Sequence, residues 1–200
     1  EQKKRDQDLT RLSRQTVFRE PSRLLVVALA GEGLLGGVAL AWIRLRGLGV
    51  GVGDPVAGLG LGLGAAGLLA LVNYVVLRSA PAIQPVRAIR RLYRELLRPL
   101  FVTVRPLEIV GISLAAGVGE ELLFRGAVQA EFGVVVASVL FGLAHIGSRS
   151  SVVFGLWVAV MGFGLGGLAH VAGGLLAPIV AHAAYDAMAI SFIRWDAHGA

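Results

Sequence analysis

The sequence predicts an all-α, polytopic transmembrane helix bundle of about six spans, and three observations carry that prediction. Hydrophobic residues make up 56% of the 200-residue chain and charged residues only 16%, with mean hydropathy +0.73. A soluble domain of this length needs less apolar surface and carries more charge. The charges are also segregated, most of them in two stretches that flank long uncharged runs, which is the membrane pattern.

Each span follows from a run of about 20 apolar residues, the length needed to cross the hydrocarbon. Residues 24–43 form the first, interrupted only by Glu32, and residues 55–77 the second, opening at Pro55 and closing before Arg78. A third starts near Leu107 and runs to about Phe124; apolar segments at 127–145, 152–170 and 174–193 supply the rest. The last four are joined by short loops, so they are expected to be antiparallel neighbours. The first run exceeds the apolar region of a cleavable signal peptide and is read as a retained anchor.

The 81–105 connection differs. Pro81, Pro85 and Pro99 punctuate it, and Arg87, Arg90, Arg91, Arg94 and Arg98 recur at helical spacing. The opposite face of 86–98 holds Val86, Ile89, Leu92, Tyr93, Leu96 and Leu97, the pattern of a basic interfacial helix on the membrane surface, with a solvated connecting helix as the alternative. The expected division is a charged tail at 1–23, two spans plus the basic helix at 24–105, a helical bundle at 106–193 and a C-terminal tail at 194–200.

Lys3, Lys4, Arg5, Arg11, Arg14, Arg19 and Arg23 precede the first span, and Arg78, Arg87, Arg90, Arg91, Arg94, Arg98 and Arg105 lie in the 78–105 connection. The 44–54 connection has only Arg44 and Arg46. The positive-inside rule then places both termini and 78–105 in the cytoplasm, with a bacterial inner membrane as the expected location. Net charge is +6. Because the basic residues border apolar spans, anionic lipid headgroups are the expected partner and nucleic acid is not.

Glycine is abundant, at 28 residues. Gly60 with Gly64, and Gly162 with Gly166, have the spacing that lets helices approach closely in lipid. Residues 62–67 match a dinucleotide-binding glycine pattern, but no strand precedes them and no acidic residue follows about 20 positions on, so the match carries nothing. Cysteine is absent, which removes disulfides, cysteine nucleophiles and thiolate zinc sites.

Ionisable side chains inside spans are costly, about 2.5–3.5 kcal/mol each on insertion scales, and mark function. The third span ends in Gly119-Glu120-Glu121-Leu122-Leu123-Phe124-Arg125-Gly126. Glu121 and Arg125, at i and i+4, can pair on one helix face, which turns Glu120 elsewhere. Removal from water makes a carboxylate a stronger base. Two further intrusions are Phe141-Gly142-Leu143-Ala144-His145 and His182-Ala183-Ala184-Tyr185-Asp186, the latter placing His182 and Asp186 on one face. A lone histidine in an apolar helix is more often a satisfied core residue, but three intrusions on helices that must pack together point to a joint site. Of the other polar residues, Glu32 needs a partner and reads as a structural pair or as part of a substrate path, Asn73 and Tyr74 as interhelical or interfacial contacts, His170 as solvated, and Trp195 and His198 as tail.

GEELLFRG, FGLAH and HAAYD resemble, in order and spacing, the EExxxR, FxxxH and Hxxx(N/D) motifs of the CPBP family, the CAAX-protease and bacteriocin-processing intramembrane proteases that include lysostaphin-resistance-like proteins. The resemblance covers about 105–193. It implies an intramembrane endopeptidase acting on a membrane protein or peptide. Glu120 would be the general base, with His145 activating water, His182 and Asp186 near the oxyanion, and Glu121, Arg125 and Phe141 in support. Asp186 stands where an asparagine could donate to the oxyanion, so it would be protonated or would orient His182. No cofactor is favoured. Zinc is the alternative, with Glu120, His145, His182 and Asp186 as ligands, although no HExxH is present. A non-catalytic chaperone or immunity-type binding protein on the same fold is the competing function; a small transporter using Glu32 and Glu120 lacks the expected repeat.

One geometric condition follows. A straight helix over 127–145 would put His145 about 27 Å from its start, at the opposite face from Glu120. The site therefore requires 127–133, with Gln129 and a headgroup-level Glu131, to lie flat or re-enter, and 134–145 to return as a half-helix. With the third span running outward, the cavity is expected to open toward the outer face.

Overall fold

The computed structural model describes residues 22–148 and 151–198. The basic tail through Arg19 and the side chain of His198 lie outside the described residues. Helix α1 spans Arg23–Arg46 and α2 Pro55–Arg78; α3, Gln84–Leu92, continues through a π-helical turn, Tyr93–Leu97, and a last helical turn, Arg98–Phe101. Helix α4 (Pro106–Glu121) runs through a second π-helical segment, Leu122–Val128, into α5 (Gln129–Ala144), followed by α6 (Val152–Val171) and α7 (Leu176–His198). Among the described residues no strand is present, and five helical stretches are long and apolar enough to cross a membrane.

The start signals are local. Ser22 caps α1 by accepting from the Leu25 N–H, and Asp54 caps α2 by accepting from Ala57, with Pro55 in the first turn, where its missing N–H costs nothing. Proline also opens α4, at Pro106. Gly47, left-handed at φ 63°, closes α1, as expected of a C-terminal glycine.

The third and fourth spans read from the sequence are one helical stretch, Pro106–Ala144, of 39 residues. Straight, it would be about 58 Å long, nearly twice the hydrocarbon thickness of about 30 Å. It is not straight. Gly133 takes φ 84°, ψ 167° inside it, a region essentially reserved for glycine, and the chain folds back there. The segment 127–132 is helical up to that residue, and the reversal is a hinge at Gly133. The returning arm, 134–144, is about 16 Å long and is the half-helix that the site requires.

Helix rotation decides which glycines meet a neighbour. Gly62, not Gly60 or Gly64, faces α7: a Cβ there would lie 2.7 Å from Val180, whereas Gly60 and Gly64 have open space. Gly58 and Ala66 share the buried face with Gly62. In this run two alternating sets of small residues both satisfy i, i+4 spacing, and only packing selects between them. Gly162 and Gly166 do face α5, as expected: a Cβ on Gly162 would come 3.1 Å from Ser138, and one on Gly166 2.5 Å from the Gln129 side chain.

Arginine-bearing ends gather on one side. Glu108 accepts from the Ser22 N–H and pairs with Arg105; Arg194 donates to the Val104 carbonyl; Arg78 pairs with Asp196. At the other end Glu131 pairs with Arg46 at 2.7 Å and accepts from the Trp42 indole, well away from Glu120. The α3 segment lies at the first end, but its apolar face is not simply a membrane face: Ile89, Leu92, Tyr93 and Leu97 line an internal cavity, while Leu96 is exposed.

Because the Gly133 backbone is closed to other residues, Gly133→Ala is expected to destabilise the fold by about 1–3 kcal/mol. Gly164→Ala, at a position with open space around it, should be neutral. Thermal unfolding in detergent micelles compares the two.

Candidate active site

The site is built on one buried ion pair. Glu121 and Arg125 are one helical turn apart, their side chains fully buried, with Arg125 Nη1 2.8 Å from Glu121 Oε1. Arg125 Nη2 also donates to the Gly162 carbonyl at 3.2 Å, tying the pair to α6. Its guanidinium lies 4.3 Å over the Phe141 ring, a cation–π contact that gains strength without water. The same Glu121 oxygen lies 2.8 Å from His182 Nδ1. A carboxylate already accepting from arginine can only accept again, so Nδ1 of His182 is the donor and its Nε2 turns into the site.

His145 is set by the same logic. Its Nδ1 is 2.8 Å from the Phe141 carbonyl, which can only accept, so Nδ1 donates and Nε2 faces inward. Phe141, 2% exposed, stands edge-on to both imidazoles, with ring centroids 4.9 Å from His145 and 5.9 Å from His182. Phe154 of α6 covers the outer side of His145 at 6.1 Å.

Glu120 meets both histidines. Its Oε2 is 3.9 Å from His145 Nε2 and 3.9 Å from His182 Nε2, and that oxygen is buried without a hydrogen-bond partner. Asp186 Oδ2 stands 3.6 Å from His182 Nε2. On a straight helix Glu120 and His145 would be about 37 Å apart; the Gly133 reversal brings them together. These three separations, 3.6–3.9 Å, exceed direct hydrogen-bond length.

The residues picked from the sequence, Glu120, Glu121, Arg125, Phe141, His145, His182 and Asp186, thus assemble at one place. The Glu121–His182 bond was not legible, since it joins residues 61 apart on different helices. Asp186, expected as a partner for His182, is farther from it than Glu121. Glu32, expected to be partnered, has its Oε2 buried with no hydrogen bond. Phe154 and Trp157, which carry no motif, also face the site. Among the described residues no group of three or more His, Asp or Glu side chains stands ready to hold a metal ion.

A cavity of about 350 Å³ extends from Glu120, His145, His182 and Asp186 to the α3 segment, with Leu97, Leu100, Phe101 and Ile112 among its apolar walls. Asn73, expected as an interhelical contact, also lines it, and Tyr74 packs edge-on against Phe192. The cavity therefore extends toward the arginine-rich end, not the end expected from the sequence, because the 134–144 arm carries His145 back in that direction. Tyr93 in its wall donates to Asp196 at 2.7 Å. Partial burial and that carboxylate push the Tyr93 hydroxyl up to about 12, so it stays a donor.

The family model for the type II CAAX prenyl endopeptidases, Rce1-like, matches residues 103–188. Those residues form a domain of the CAAX endopeptidase family. The match takes in α4, the π segment, α5, α6 and the first half of α7, and so Glu120, Glu121, Arg125, Phe141, His145, His182 and Asp186. YpbD of Bacillus subtilis (strain 168), described as uncharacterized, is 32% identical over 88 residues, covering 44% of this chain and 47% of that protein. The chain thus spans about half the length of this curated relative. No solved structure matches it.

Removing one partner of the buried pair leaves the other charge stranded. Arg125→Met is expected to destabilise the protein by about 3–5 kcal/mol, and adding Glu121→Gln to recover part of that loss. Unfolding of the single and double variants in micelles measures the difference.

Proposed function

We propose that this membrane protein is an intramembrane endopeptidase that hydrolyses a peptide bond of a membrane-associated protein or peptide. The observation that supports this most is the convergence of two inward-facing imidazole Nε2 atoms on the unpartnered Glu120 carboxylate, at the wall of an apolar cavity. Glu120 takes a proton from a water that His145 Nε2 helps to hold, and the water oxygen attacks the scissile carbonyl carbon. His182, aimed by Glu121, carries a proton on Nε2 and directs it at the oxyanion of the tetrahedral intermediate. Asp186 faces the same nitrogen and balances the imidazolium charge. The C–N bond then breaks, and the proton on Glu120 passes to the leaving amine.

The cavity fits a substrate whose apolar part lies in the bilayer, because its walls are mostly hydrophobic between the Glu120 cluster and the polar groups of Asn73 and Tyr93. With the arginine-rich end cytoplasmic by the positive-inside rule, both described ends of the chain are inside. The substrate then enters from the cytoplasmic leaflet rather than from outside, and anionic headgroups lie against the arginines of α3.

Glu120→Gln and His145→Ala are each expected to lower cleavage of a membrane-tethered peptide by about 10²–10⁴-fold while leaving thermal unfolding unchanged. The assay uses purified protein in liposomes. Full cleavage by folded Glu120→Gln would overturn the mechanism. If wild type cuts no member of a peptide panel and Glu120→Gln fully complements a gene deletion, the binding-protein reading replaces it.

A further inference from the structure

The cavity beside Glu120 holds about 350 Å³, at the small end for a ligand pocket. A polypeptide running on past its scissile bond does not fit there unless a wall moves. The α3 segment has the features of a moving wall. Its inner face sets Ile89, Leu92, Tyr93 and Leu97 against the cavity. Its outer face sets Arg87, Arg91 and Glu95 along a groove of about 540 Å³ that Ser148 and Val153 line on the α6 side. Leu92 belongs to both linings, so at that point a single helix separates the site from the groove.

Side chains anchor this segment on both sides of its middle and tie the middle across to α7. Arg90 donates to the Val76 and Ala80 carbonyls at 3.1 and 2.8 Å, fixing α3 to the end of α2. At the far end Phe101 packs on the cluster of Ile109, Ile112 and Ile190. Between these anchors lies the π-helical turn Tyr93–Leu97, a geometry frequent at functional sites, and Pro99 after it has no N–H to give the preceding turn. The tie is made by Tyr93, whose hydroxyl donates to Asp196 Oδ2 at 2.7 Å. Asp196 Oδ1 pairs with Arg78 of α2. The Arg78 guanidinium lies 5.5 Å over the Phe192 ring, which stands in the cavity wall beside Tyr93. Arg78, Tyr93, Phe192 and Asp196 all lie outside residues 103–188, so the family match does not account for them.

We infer that α3 and its π turn form a lid over the cavity, and that Tyr93, Asp196 and Arg78 are its latch. A hydrogen bond to a charged, part-buried acceptor biases such an equilibrium about tenfold or more. That is enough to keep the lid shut and still let it open within a catalytic cycle. On release the π turn moves away from α7 toward the groove, and the substrate passes between α3 and α7 to Glu120. The need for this passage rests on the proposed cleavage of a polypeptide; the movement itself does not.

The chain has no cysteine, so Ala116→Cys, in the cavity wall one turn before Glu120, supplies a sole thiol that reports access. Its labelling by N-ethylmaleimide in micelles is compared with and without Tyr93→Phe, which keeps the ring and removes the latch hydroxyl. Labelling is expected to run about threefold or more faster with Tyr93→Phe, thermal unfolding being little changed. Asp196→Asn should act in the same direction, and it decides the matter should Tyr93→Phe unfold early. In the otherwise cysteine-free protein, Tyr93→Cys and Asp196→Cys bridged by a reducible bis-methanethiosulfonate should stop peptide cleavage in liposomes, and reduction should restore it. Equal labelling with and without the latch overturns the inference, as does full cleavage by the bridged protein. If loss of the latch speeds labelling but no form of the protein cleaves any peptide, the lid stands and the reading as a peptidase has failed instead.

Discussion

Glu121 has no exposed surface, and one of its oxygens holds both Arg125 and His182. A carboxylate in an apolar interior survives only with compensation, and here each compensating group also does something else. Arg125 reaches across to the Gly162 carbonyl and lies over the ring of Phe141, which fixes α6 and α5 against the π segment. His182 gives its Nδ1 proton to Glu121 and thereby points Nε2 at Glu120. The position of each imidazole therefore traces back to this charge cluster and to the aromatic ring packed beneath it.

The backbone supplies the second condition. Glu120 and His145 belong to one continuous helical stretch, and only its reversal at Gly133 lets them face each other. The π-helical turn at Leu122–Val128 sits between them, in keeping with the tendency of such turns to occur at functional sites. The returning arm ends in the site, not at a membrane face. It leaves room for the α3 segment to wall a largely apolar cavity that reaches Glu120, His145, His182 and Asp186.

Much of this was legible in the sequence, because the informative signals were local. Charged residues inside apolar runs, the i, i+4 spacing of Glu121 with Arg125 and of His182 with Asp186, and the need for a broken segment before His145 all follow from short-range geometry. What was hidden is long-range. Helix rotation decided that Gly58 and Gly62 face α7 where Gly60 and Gly64 fit the spacing equally well. The hinge falls at Gly133, a single glycine at positive φ, where the sequence indicated only that the chain must break somewhere in 127–133. The direction of the cavity depends on which way the short arm returns, and no span count contains that information. Glu32 was legible as a misplaced charge, but not that Gly119 of α4 packs against it.

The central claim is that buried side chains alone make the nucleophile. It is tested most directly by the rate at which purified protein in liposomes cleaves a membrane-tethered peptide before and after exhaustive chelation, with bound metal quantified in the same samples. An unchanged rate and no stoichiometric metal is the expected result. Loss of cleavage on chelation, restored by added zinc, would contradict it and would make Glu120, His145, His182 and Asp186 ligands instead.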